Sequence, residues 1–119
     1  MALNLSVFNE IYLYREQVDF RKSIDGLAGI VSLKMGTELK QGSLFVFISR
    51  RRDKIKILYF DRTGFALWYK RLERDKFQWP RKLEESVILL SQEKLAMLLD
   101  GIDVWKIRPH ETLCIAQMF

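Results

Sequence analysis

Apolar positions along the chain fall into short blocks whose spacing changes from one block to the next, and each change predicts a change of secondary structure. Ile11-Tyr-Leu-Tyr14 is rich in strand formers and predicts a first strand. From Phe20 the apolar residues recur at Ile24, Leu27, Ala28, Val31 and Met35, the one-sided stripe of a helix over residues 20–35. Asp19 reads as its N-cap and Gly36 as its stop. Gly26 and Gly29 either weaken this helix, by about 1 kcal/mol each relative to Ala, or permit its close approach to a sheet. Leu44 to Ile48 is unbroken apolar sequence, as expected of a strand covered on both faces. Lys54 to Phe60 alternates instead: Ile55, Ile57 and Tyr59 face one way, and Lys54, Lys56, Leu58 and Phe60 the other. With Ser49–Asp53 between them, the two strands form a hairpin carrying Arg50, Arg51 and Arg52 at its tip. Asp61-Arg-Thr-Gly64 is a second turn, with Gly64 available for a positive φ.

Phe65, Trp68, Tyr69 and Leu72 fit a helical stripe, yet an aromatic run after a tight turn also fits a third strand. The strand is favoured, because Glu73–Lys76 then forms another turn into Phe77-Gln-Trp79, ended by Pro80. Ser91 is a good N-cap for a helix with Gln92 and Glu93 in its first turn, a stripe of Leu95, Leu98, Leu99 and Ile102, and Gly101 as its stop. Val104–Pro109 reads as a short strand. The chain shows no repeat, low-complexity tract or linker. The expected architecture is α+β: a single domain over residues 1–119, with a small, mostly antiparallel sheet packed by one helix from the N-terminal half and one C-terminal helix.

Charge sharpens this picture. Arg50 to Lys82 holds 12 Lys/Arg and 4 Asp/Glu, a balance of +8. The remaining 8 basic and 11 acidic residues balance to −3, so the net +5 comes from that segment alone. Such a surface favours acidic partners, chiefly nucleic acid. One cysteine, Cys114, allows neither an internal disulfide nor a Cys-based zinc site. No apolar stretch reaches the ~20 residues needed to span a bilayer and no signal peptide is evident, so no membrane partner and a cytoplasmic location are expected.

The chemistry-bearing candidates weigh unequally. Arginines on a hairpin suit phosphate, since the guanidinium fork pairs bidentately with its oxygens, although charged hairpin tips are often only solvated. Tyr59, Trp68, Tyr69 and Trp79 are candidates to stack on bases, but aromatics in a sheet are more often core. Asp19, Asp61 and Asp75 each sit at a cap or turn that explains them locally, and Asp53 lies among arginines. His110 and Cys114 have no evident third group to orient a base. No nucleotide-binding or metalloprotease motif is present. The expectation is therefore a protein that is not an enzyme and holds no metal or cofactor.

Several blocks together resemble a known family. They are Asp19-Phe-Arg-Lys-Ser-Ile-Asp-Gly-Leu27, Gly42-Ser-Leu-Phe-Val-Phe47, Arg50-Arg-Arg-Asp-Lys-Ile-Lys-Ile-Leu-Tyr59 and Asp61-Arg-Thr-Gly-Phe65. Trp68-Tyr-Lys-Arg-Leu-Glu73, Phe77-Gln-Trp-Pro80 and a weaker block over Ser91–Ile102 follow. The chain resembles, over about residues 10–103, the accessory protein called TnpB in bacterial insertion sequences of the IS-sixty-six family; an unrelated RNA-guided nuclease shares that name and is not what it resembles. Phe20 stands where the family usually has Met, Asp75 where a Gly often follows, and the tail beyond Trp105 carries no motif of the family. The resemblance implies a protein encoded beside a larger transposase that carries the catalytic acids, assisting DNA transposition, with a suspected role in DNA binding.

Two functional readings follow. In the first, a non-enzymatic accessory factor contacts DNA backbone through Arg50, Arg51, Arg52, Lys54 and Lys56, with Lys70 and Arg71 extending the patch. Asp19, Arg21 and Lys22 either join this surface or fix the start of the helix. In the second, the chain docks on the transposase through exposed Phe65, Trp68 and Trp79 without binding DNA itself.

Overall fold

The computed structural model describes residues 3–80 and 85–105. The elements are β1 (Glu10–Gln17), α1 (Ile24–Leu33), β2 (Ser43–Ile48), β3 (Lys54–Asp61), β4 (Gly64–Arg71), β5 (Val87–Leu90) and α2 (Gln92–Leu99), with a 3-10 turn at Leu5–Val7. They form an α+β fold around one sheet of order β4-β3-β2-β1-β5. β1 and β2 run parallel and the other pairs antiparallel. Parallel neighbours need a long crossover, and α1 supplies it.

The unbroken apolar run becomes the central strand, and all six residues of β2 are buried. Alternation divides them between two cores. Leu44, Val46 and Ile48 join Ile11, Leu13, Ile55, Ile57 and Tyr59 beneath Leu95, Leu98 and Leu99 of α2. Phe45 and Phe47 join Tyr14 and Leu58 beneath Leu27 and Val31 of α1. The helices thus cover opposite faces, and the two facings expected of 54–60 are those observed.

The stretch after the second turn is strand, paired with β3 from Asp61↔Gly64 to Lys54↔Arg71. The positive φ of that turn belongs to Arg62 (φ 48), not to Gly64, which opens β4; a two-residue hairpin loop places its left-handed residue inside the loop. α1 begins later than expected. Its N-cap is Ser23, because the Asp19 carboxylate is occupied by the backbone N–H and guanidinium of Arg21 in a turn closed by Lys22 N–H donating to the Asp19 carbonyl at 2.9 Å. It also ends two residues early, at Leu33, and Gly36 follows with φ 66. Neither glycine of α1 touches the sheet: a Cβ on Gly26 would meet the Lys22 side chain at 3.0 Å, and one on Gly29 would meet nothing within 4 Å.

Val87–Leu90 is a strand that the sequence reading did not anticipate; it pairs with β1 through Ile11↔Leu90 to Tyr14↔Val87. The Ser91 side chain caps α2 as expected, accepting from Lys94 N–H at 3.1 Å. Val104 is buried but lies in no strand, and the rest of the expected strand at 104–109, with His110 and Cys114, lies outside the described residues. No helix among the described residues is long and apolar enough to cross a membrane.

Candidate nucleic-acid interface

The parallel strands β1 and β2 end side by side, with Val18 N–H donating to the Ile48 carbonyl at 3.1 Å. The loops that leave them, residues 18–23 and 49–53, therefore emerge together. In open sheets ligands gather at the carboxyl ends of parallel strands. An open groove lies between the loops, lined on one side by Asp19, Phe20 and Arg21 and on the other by Arg50, Arg51 and Lys54. Two sets of residues 30 positions apart in sequence thus share one site.

The arginine loop is built as a fixed mount. Buried Ser49 donates its N–H to the Lys54 carbonyl and accepts Arg52 N–H on its own carbonyl, both at 3.0 Å. Its hydroxyl accepts from Lys54 N–H at 3.1 Å and donates to Asp53 at 3.2 Å. From outside, Phe77 N–H binds the Arg52 carbonyl and Leu72 N–H the Asp53 carbonyl, both at 2.7 Å. Arg52 takes a positive φ of 61, which turns the chain at the tip. Arg50 and Arg51 are left exposed, and among the described residues neither has an ion pair or side-chain hydrogen bond. Arg52 parts from them. It lines a separate cleft with Arg15, Trp79 and Pro80, half-buried, and its buried Nε has no partner among the described residues.

The other predicted cations divide in the same way. Lys54 lies 3.3 Å from Asp53, and Arg71 is opposite Lys54 on the α1 face, 3.0 Å from Glu73. Burial raises the Asp53 carboxyl pKa, but Lys54 and Ser49 outweigh it and the net shift is downward. Lys56 points inward. Its ammonium donates to the carbonyls of Phe20 and Lys22 at 2.8 Å each and sits 4.9 Å from the Phe20 ring centroid. Burial lowers its pKa, against the charge of Asp19. Lys70 points to the opposite face from Arg71 and donates to the Leu99 carbonyl at the end of α2, at 2.8 Å. Lys56 and Lys70 thus brace the fold, and no sequence signal places a carbonyl within their reach. Lys56→Ala is expected to leave the half-buried Phe20 carbonyl short of a donor, the Lys22 carbonyl being exposed to water, and to lower stability by about 1–3 kcal/mol in urea denaturation.

Asp19 and Arg21 form a 2.6 Å ion pair at the groove rim, with the Arg21 side chain 91% exposed. Hydrogen bonds from the Arg21 guanidinium, then from its backbone N–H, hold the Asp19 carboxyl at about 2, against an ordinary 3.8. Because this folded value is depressed, the pair is complete above about pH 4 and is lost only as pH falls through about 2. An NMR titration of Asp19 should find that midpoint, and Arg21→Ala should move it back toward 3.8.

The aromatic candidates separate by burial. Trp79 is 6% exposed and its indole N–H donates to the Arg15 carbonyl at 2.8 Å, so it is a core ring and not a docking anchor. Trp68 is half-buried against the same core, and Tyr59 lies within it. Phe65 and Tyr69 are exposed. Asp61 is exposed at the end of β3, and Asp75 is exposed in the bend after β4 with φ 64, a conformation glycine adopts freely at the position where the family often has one. Among the described residues no three His, Cys, Asp or Glu side chains come together as a metal site would require.

The family model described as IS66 Orf2 like protein matches residues 9–109, slightly more than the span over which the motifs are legible. The chain belongs to this family. It is 30% identical over 98 residues to uncharacterized protein y4jC of Sinorhizobium fredii (strain NBRC 101917 / NGR234), covering 82% of this chain and 83% of that protein. It is 34% identical over 102 residues to uncharacterized protein y4hO of the same strain, covering 86% of each. No solved structure matches the chain. Membership in the IS66 Orf2-like family associates the protein with transposition, in an accessory role.

Proposed function

We propose that the protein assists transposition, without catalysing it, by holding DNA backbone at the carboxyl end of β1 and β2, in company with the transposase of the same element. The observation that carries this reading is the pair Arg50 and Arg51, exposed and, among the described residues, without an ion pair, on a loop fixed at both ends. A loop whose backbone is already fixed adds little ordering cost when its arginines meet a phosphate, and each guanidinium presents a bidentate fork. Arg21 and Lys54 line the same groove, with Lys22 next to Arg21 in sequence and Arg71 opposite Lys54 in the sheet, although Arg21, Lys54 and Arg71 share their charge with carboxylates. Contact of this kind positions DNA and reads little sequence. Titration of a labelled duplex from the element's end, at two salt concentrations, tests it. The expected result is binding that weakens steeply with salt and changes little when the duplex sequence is scrambled.

A further inference from the structure

Among the described residues, the rings that neither core uses lie in one strip. Phe65 and Tyr69 are 45% and 48% exposed, and both face the α1 side, opposite Phe60 and Lys56 of β3. Four strand positions separate them, about 13 Å, with Leu67 between them on the same face. Each ring is propped: Phe65 stands edge-on to Phe60 at 5.4 Å, and Tyr69 lies 6.4 Å from the Phe20 ring that Lys56 holds.

The cation on the face of the strip is Arg71, which shares its charge with Glu73 at 3.0 Å, whereas Lys70 lies on the other face of the sheet; the unshared positive charge is that of Arg50 and Arg51 at the adjoining loop. Arg71 follows Tyr69 on the same face and lies opposite Lys54, which lines the groove with Arg50 and Arg51. Aromatic faces running toward free guanidinium groups suit a flexible polyanion that has flat apolar faces of its own. A closed duplex keeps its base faces stacked inside, whereas an unpaired strand exposes them.

We propose that Phe65 and Tyr69 stack on unpaired bases of a DNA strand whose phosphates meet Arg50 and Arg51, so that the protein prefers single-stranded or melted DNA to closed duplex. This rests on the DNA-contact reading above and specifies its substrate. The test is fluorescence anisotropy of the full chain with a deoxythymidine oligomer and with a blunt duplex of equal length. The wild type should bind the oligomer more tightly. Phe65→Ala and Tyr69→Leu should each weaken oligomer binding by about tenfold and duplex binding much less, while Tyr69→Phe, which keeps the ring, restores it. Arg50→Ala/Arg51→Ala should weaken both. Circular dichroism of each variant confirms that it is folded. If the ring variants bind the oligomer as the wild type does while the arginine variant fails on both DNAs, the strip is not a stacking surface, and backbone contact stands. Ring variants that release the transposase but keep both DNAs would assign the strip to a protein partner and overturn the proposal. Absence of binding to either DNA by the wild type would overturn both readings.

Discussion

Trp79→Ala is expected to cost about 3–5 kcal/mol of folding stability. The indole lies 6% exposed in the core beneath α2, although residues 77–80 belong to no helix or strand. Truncation opens a cavity and strands the Arg15 carbonyl, which accepts the indole N–H at 2.8 Å. It also loosens the segment whose Phe77 N–H closes the arginine loop through the Arg52 carbonyl. For a domain of ordinary stability, about 5–15 kcal/mol, the loss is large enough to populate unfolded chain near physiological temperature. Urea denaturation reads it as a fall in midpoint at constant slope. Trp79→Phe keeps most of the apolar volume and should recover much of the loss. Phe65→Ala, at an exposed site, should cost about 1 kcal/mol or less. Equal, small effects at both positions would contradict the placement of Trp79 in the core.

How far the sequence discloses this molecule depends on which contacts are local. The unbroken run at 44–48 means two covered faces, and the alternation at 54–60 means two facings; both follow from the period of a strand. The helix stripes and the Ser91 cap are equally local signals. What stays hidden is set by distant pairing. Nothing within Ile11–Tyr14 specifies that it lies parallel to β2, nor that Val87–Leu90 closes its other edge. Asp19 has the right chemistry for an N-cap, but Arg21 competes successfully for its carboxylate. The candidate site is legible as a basic hairpin and not as a division of labour within it. Strand alternation alone separates Lys70 from Arg71. Separating Lys56 from Arg50 requires knowing that the carbonyls of Phe20 and Lys22 lie across the sheet. Trp68 and Trp79 differ from Phe65 for the same reason, since burial depends on what packs above the ring.

The division within the hairpin gives the central claim its test. Among the described residues Arg50 and Arg51 are the cations left exposed and without an ion pair at the tip, so removing both should remove phosphate contacts without disturbing the mount beneath them. Each lost contact lowers the slope of log affinity against log salt by about 0.9 on duplex DNA. The double variant should therefore show a slope smaller by about 1.8, and a rise from 50 to 200 mM salt should weaken it roughly tenfold less than the wild type. Lys56→Ala and Lys70→Ala, whose ammonium groups are spent on carbonyls, should change stability and leave that slope nearly unchanged. The most direct measurement is the salt titration of element-end duplex with wild type and with Arg50→Ala/Arg51→Ala side by side. A slope that falls by about two contacts is the predicted result; a folded variant with the wild-type slope and affinity would contradict it.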